Sequence, residues 1–317
     1  MGVVLVTGAA GFLGMQVAGA LLDRGETVYG IDDLGPCQDP ALKRARVAEL
    51  ERRHPVAFRF ARADLAWRAT AGDLAGEIGR EVTGVVHLAA RRGAGPPGRL
   101  LCHRLAAQLA VLELCRERLP NLRHAVYARA EPPGPDSAVG LPSAAGRADE
   151  LLAQAYARLH GLPLTGLRLA TVYGPWDRTD AEIVVLADAI AAGRPVTLAG
   201  RERETRQLVF ATDAASAVLT ALDRPPRAGG EGREPPHRTV WVGPDEPVGL
   251  GRLVAALGVA LGREPVAGMA EDVAAGGHEP AGASMVARSG FDWRPETSLE
   301  EGLRRFAAWH AGRGVPK

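Results

Sequence analysis

No stretch of the 317-residue sequence approaches the roughly 18 uninterrupted apolar residues of a membrane-spanning helix, so no membrane partner is expected. Cysteine is nearly missing. Cys37, Cys102 and Cys115 give neither the even count of a disulfide framework nor the paired spacing of a zinc site, and they read as thiols in a reducing cytoplasm. Net charge is small as well: 38 Lys+Arg against 37 Asp+Glu leave a formal +1, with the signs interspersed. Without an extended basic face, nucleic acid is not an expected partner. Lysine is scarce beside arginine, alanine, glycine and proline, a compositional bias from which no mechanism follows. A cleavable leader is not expected, because the strand pattern Val3-Val4-Leu5-Val6 leaves no room for a charged segment and cleavage site ahead of it. No metal constellation and no Gly-x-Ser-x-Gly nucleophile elbow stand out.

What is present is an apolar fraction of 46%, ordinary for a globular chain, and a regular alternation of short and long patterns. Strands are expected at 3–6, 27–31, 57–61, 84–88, 124–127 and 164–169, and helices at 12–24, about 100–118 and about 145–160. Such alternation is the signature of βαβ units around a parallel sheet. The expected fold is therefore α/β: a Rossmann domain over 1–170 and a smaller C-terminal α/β substrate-binding lobe over 171–317. Segments near 206–222 and 239–243 are expected to return to the first domain. In the lobe, a helix near 181–192 precedes a strand pair at Val196 to Leu198 and Gln207 to Phe210.

The strongest local signal is Thr7-Gly8-Ala9-Ala10-Gly11-Phe12-Leu13-Gly14, between the first strand and the first helix. Its glycines let the backbone turn tightly and approach a pyrophosphate, while amides at the helix start, such as those of Phe12 and Leu13, supply donors and a positive dipole end. About 20 residues further on, the second strand ends in Asp32 and Asp33. A carboxylate there accepts from ribose hydroxyls and repels a 2′-phosphate, so the expected cofactor is NAD rather than NADP. Asp32, at the strand terminus, is the better placed of the two. Asp64 and Leu65 are expected near the adenine, and Leu88, Ala89 and Ala90 under the cofactor. His87 reads as a packed structural histidine, and Asp213 as a helix cap.

Together with Leu167-Arg168-Leu169-Ala170-Thr171-Val172-Tyr173-Gly174-Pro175-Trp176 and the closing Phe291 to Leu303 segment, these motifs resemble the extended short-chain dehydrogenase/reductase family of nucleotide-sugar epimerases and dehydratases. Gly161 to Gly166, leading into Thr171 to Trp176 and Arg178, is most similar to the UDP-glucuronate 4-epimerases. The resemblance implies a UDP- or dTDP-sugar as ligand, with Thr171 and Arg178 near an acidic hexose. It also implies Arg206 on the nucleotide part, although an exposed salt-bridging arginine reads as well there. A homodimer through the helices near 100–118 and 145–160 is implied too.

The family's acid–base pair, Tyr-x-x-x-Lys on the long helix, has no counterpart here. In relatives the phenolate takes a proton from a sugar hydroxyl, and the lysine lowers its pKa from about 10. The matching stretch places Ser143 and Arg147 at those positions, or Pro142 and Gly146 if shifted by one residue. Arg147 could still bond the nicotinamide ribose. The Ser/Thr cluster of relatives is replaced by Tyr127-Ala128-Arg129-Ala130-Glu131, and their asparagine by Arg104. Glu131, Tyr127 and His103 are the candidate substitutes. The expectations are thus an epimerase, dehydratase or decarboxylase-like enzyme with a reorganised acid–base set, an inactive NAD- or sugar-nucleotide-binding sensor or partner subunit, or a small-carbonyl oxidoreductase.

Overall fold

A computed structural model describes residues 2–35, 39–66, 79–90, 96–130, 141–198, 204–229, 234–268 and 291–312, so Cys37 and Glu131 lie outside the described residues. The first half runs β1 (Val3–Thr7), α1 (Phe12–Asp23), β2 (Thr27–Asp32), α2 (Pro40–Arg53), β3 (Phe58–Arg62), β4 (Val82–His87), α3 (Pro97–Glu117), β5 (His124–Ala130), α4 (Leu141–His160) and β6 (Leu164–Leu169). The second half runs β7 (Thr171–Tyr173), α5 (Glu182–Ala191), β8 (Val196–Thr197), β9 (Thr205–Arg206), β10 (Leu208–Phe210), α6 (Ala211–Asp223), β11 (His237–Val242), β12 (Val248–Gly249), α7 (Leu250–Leu261), β13 (Ala267–Gly268) and α8 (Leu299–Gly312).

Seven parallel strands form the central sheet in the order β11-β6-β5-β4-β1-β2-β3. The order reverses between β1 and β4, which opens a crevice at their carboxyl ends, where doubly wound sheets bind ligands. Side chains alternate across the sheet as a period of two requires. Val4, Val6, Val28, Val86, Val126 and Leu167 pack against Val17 and Leu21 of α1 and Val218 of α6. On the other face Leu5, Ile31, Val85 and Tyr127 meet Val111 and Leu112 of α3 and Ala153 and Ala157 of α4. A separate cluster, with Ile183, Ile190, Phe210, Leu253, Leu257 and Phe306, joins α5, α7 and α8. No helix among the described residues is long and apolar enough to cross a membrane.

Three local expectations are corrected. The segments 196–197 and 208–210 do not pair with each other; β8 pairs with β13 and β10 with β7, all parallel. Two- and three-residue strands carry too little pattern to name their partners. Helix α4 starts at Leu141, four residues before the expected start, because a proline in the first helical turn costs no intrahelical bond. Asp213 does not cap its own helix. It lies within the first turn of α6 and accepts from Thr297 N (2.9 Å) and Oγ1 (3.0 Å), anchoring the segment that leads into α8.

Candidate functional site

The glycine loop is shaped by its own carbonyls. Gly8 sits at φ +73°, and a Cβ there would meet Ala89 N at 2.7 Å and the Leu88 carbonyl carbon at 2.8 Å; one on Gly14 would stand 2.0 Å from Gly8 O. The loop thus passes directly over the chain leaving β4, where Leu88 N donates to Thr7 O (3.0 Å). Gly11 is the N-cap of α1 and makes no side-chain cap, and the first turn holds no acidic residue. The amides of Phe12 and Leu13 therefore open a helix start with its positive dipole end uncompensated. Such a cradle fits a dinucleotide pyrophosphate, with Gly8, Gly11 and Gly14 letting the loop close tightly, since a Cβ at any of them would stand within 3 Å of backbone.

Asp32 is buried at the tip of β2 and accepts from Leu34 N (2.9 Å) and Lys43 Nζ (2.8 Å). Asp33 accepts from Gly35 N (2.6 Å) and lies 3.6 Å from the same ammonium. Asp64 accepts from Ala66 N (3.0 Å), and Leu65 is packed into the core. His103 Nε2 lies 2.9 Å and 3.0 Å from the two Asp64 oxygens, so this histidine sits beside Asp64. Ligand atoms of Asp33, Asp64 and His103 all fall within 4.8 Å of one another, a grouping that the scattered histidines of the sequence did not reveal.

The two candidate positions on α4 part company. Ser143 is buried, whereas Arg147 is exposed on the stripe of Ala144, Leu151, Gln154 and Arg158. Gly146 instead faces inward, and a Cβ there would stand 2.9 Å from Arg129 Cδ. The side chain of Arg129, reaching in from β5, fills the space a side chain at 146 would take, with its Cδ nearest. Arg129 Nε is 3.4 Å from Glu150, which also accepts from Arg168 (2.8 Å) and Thr239 Oγ1 (3.0 Å). Burial works to raise the Glu150 carboxyl, but the bonds from Arg168 and Thr239 and the Arg129 charge hold it below the usual range. Arg104 donates to Asp149 (2.7 Å), whose carboxyl burial still pushes up.

Tyr127 is not placed as a base. Its hydroxyl shares a hydrogen bond with His237 Nε2 (2.9 Å), and burial, with Glu150 close by, pushes the phenol above its ordinary value. The chain has only two lysines, Lys43 and Lys317, so none can partner a tyrosine on α4. His87 is structural: Nδ1 lies 2.6 Å from Thr7 Oγ1, and burial, helped by Arg104, pushes its pKa down to about 4.

Thr171 is exposed at the start of β7, and Arg178 pairs with Asp180 (2.8 Å). Asp177 is buried and accepts from Arg178 N (2.7 Å); burial pushes its carboxyl up to about 7 against the pull of Arg178 and Arg46. Trp176 adopts φ +70°, rare for a bulky residue. Arg206 is 2% exposed and clasped by Glu182 (2.7 Å) and Glu204 (2.8 Å). It is neither an exposed arginine nor a free one; burial opposes its charge, and the two carboxylates more than restore it.

These shifts fix an acid response. His87 and His124, the latter also pushed down to about 4 by burial, stay neutral in the fold and take up protons when unfolded. Stability is full above pH ~6.5 and falls as pH drops toward 4, by at most about 3 kcal/mol for each. Asp177 acts oppositely: its raised pKa adds stability as pH falls through 7. Melting temperature measured from pH 8 to pH 5 is therefore expected to fall more steeply in Asp177→Asn than in the wild type; parallel curves would refute the assignment.

The family model described as "NAD dependent epimerase/dehydratase family" matches residues 4–234. A probable UDP-glucuronate 4-epimerase of Rhizobium meliloti is 32% identical over 337 residues, covering 96% of this chain and 96% of the relative. UDP-glucuronate 4-epimerase 1 of Arabidopsis thaliana is 30% identical, covering 97% of this chain and 76% of that protein. The crystal structure of UDP-glucuronic acid 4-epimerase from Bacillus cereus in complex with NAD superposes with a TM-score of 0.80 at 22% identity, over 98% of this chain and 99% of that one.

Proposed function

Because the chain belongs to the NAD-dependent epimerase/dehydratase family, with NAD as its cofactor, we propose that it acts on a UDP-linked sugar, a hexuronate in the first instance, with a non-standard acid–base set. The observation that carries this reading is the pairing of an intact dinucleotide cradle, Gly8 and Gly14 over Leu88 and Ala89, with relatives matched along nearly the whole chain. Asp32 would hold the adenosine ribose and Thr171, Arg178 and Arg206 the sugar nucleotide. Bound NAD supplies a hydride acceptor. The protein's own contribution at that end is the fixed positive charge of Arg129 above Gly146, which cannot relay a proton because a guanidinium stays protonated. Proton transfer then falls to Ser143, itself a weak acid, or to Glu131, outside the described residues.

Incubation with UDP-glucuronate, followed by NMR of the anomeric protons, is expected to yield the C4 epimer at a rate about 10² to 10⁴ below that expected of a complete acid–base site. Binding without any turnover would favour the second reading, a sugar-nucleotide-binding partner without catalysis, which the sequestration of Tyr127 supports. Pro142→Tyr with Gly146→Lys then tests for a decayed site, and needs Arg129→Ser to clear the space.

We further propose a homodimer through α3 and α4, whose outward Leu109, Leu151 and Leu159 are 41%, 65% and 73% exposed. Light scattering at micromolar concentration is expected to give twice the chain mass, and Leu151→Glu to halve it; a monomeric wild type would end the proposal.

A further inference from the structure

Two consecutive carbonyls of the turn after β7 are held by helices of the cofactor half. Gln16 Nε2 of α1 donates to Pro175 O (2.9 Å), and Arg46 of α2 donates to Trp176 O from Nε (3.1 Å) and Nη2 (2.6 Å). The third nitrogen of the same guanidinium, Nη1, donates to Ala10 O in the glycine loop (3.1 Å). Arg46 is 3% exposed, so these charge-assisted bonds lie in a poorly screened setting. One turn earlier on α2, Lys43 holds Asp32. A single helix face thus touches the ribose carboxylate, the pyrophosphate loop and the turn that carries Arg178.

That turn is conformationally demanding. Trp176 sits at φ +70°, and its ring lies 6.4 Å from that of Trp309 on α8. Asp177, the next residue, is buried, with Arg46, Arg178 and Asp180 as the charged groups acting on it. A left-handed tryptophan persists only where its surroundings over-determine it, and the paired bonds to its carbonyl supply that constraint.

We infer that Arg46 is a positioning residue that couples the dinucleotide loop to the sugar-facing turn at 174–178. When the loop amides engage a diphosphate, Ala10 O is fixed; this fixes the guanidinium, and the guanidinium in turn orders the turn that presents Arg178. The coupling is reciprocal, so occupancy of the sugar side tightens the cofactor. It rests on the reading that the glycine loop holds NAD, and not on turnover.

Hydrogen exchange followed by mass spectrometry on a peptide spanning 172–181, with and without saturating NAD, tests the coupling. In the wild type NAD is expected to slow exchange there by about tenfold. Arg46→Met, held at an NAD concentration that calorimetry shows to saturate that variant, is expected to lose that slowing. Retained slowing in NAD-bound Arg46→Met overturns the inference, as does unchanged exchange in wild type that calorimetry shows to be loaded. If Arg46→Met does not fold, Arg46→Lys, which keeps the charge but cannot span both carbonyls, is expected to show the same loss, and retained slowing there overturns the inference. Absence of any NAD heat would instead overturn the cofactor reading itself, a separable result.

Discussion

Replacing Gly14 with alanine is expected to abolish measurable NAD binding, weakening affinity by at least about a hundredfold, or about 2.7 kcal/mol. The new Cβ would stand 2.0 Å from Gly8 O, a backbone atom that cannot swing aside. To relieve the clash the loop must open, but Gly8 is itself pinned at φ +73° with its own Cβ position 2.7 Å from Ala89 N. Overpacking of this kind also costs about 1–3 kcal/mol of stability. Gly98→Ala on α3 is the control: nothing lies within 4 Å of its Cβ position, and both affinity and melting temperature are expected to stay at wild-type values. Unaltered NAD affinity in Gly14→Ala would mean that the loop does not hold the pyrophosphate.

Arg206→Ala is expected to destabilise the fold by about 3–5 kcal/mol, whatever it does to ligands. The arginine is 2% exposed and pairs with both Glu182 and Glu204, so the variant removes the cation that these two carboxylates share at the joint between α5 and β9. A loss of binding in that variant would be ambiguous. The triple change Arg206→Met, Glu182→Gln and Glu204→Gln removes both carboxylate charges together with the cation, and is expected to recover most of the melting temperature without recovering UDP affinity. Recovery of both would show that Arg206 serves the lobe and not the nucleotide. An incoming diphosphate has to compete with two carboxylates for this guanidinium, so any affinity it gains there is a difference between two charge-assisted sets of bonds.

The strand, glycine loop and helix that open the chain were legible because their demands are local. A glycine triplet between a strand and a helix, and an acid at the next strand's tip, are short-range features, and the structure sets Gly8 on Leu88 and Ala89, Gly14 against Gly8, and β1 between β2 and β4. Helix α2 was not foreseen. Only Arg46, Val47 and Leu50 of its 14 residues are buried, so it shows little apolar periodicity. Its ends did signal it: Asp39 caps Leu42 N, Pro40 follows, and Arg52 and Arg53 close the last turn. Missing α2 meant missing Lys43 and Arg46, which tie the ribose acid and the glycine loop to the turn at Trp176. The acid–base end was illegible for another reason. Which of Ser143, Gly146 and Arg147 faces inward depends on the rotation of α4 on the sheet, and that rotation is set by Ala153 and Ala157 packing below, not by any motif. The filling of the Gly146 gap by Arg129 from a different element left no trace in local spacing.

The most direct measurement is a calorimetric titration of the full-length protein with NAD and, in parallel, with NADP. Saturable heat near one NAD per chain, with NADP bound far more weakly because the Asp32 carboxylate meets its 2′-phosphate, is the expected result. No heat with NAD, or equal affinity for both dinucleotides, would contradict the account.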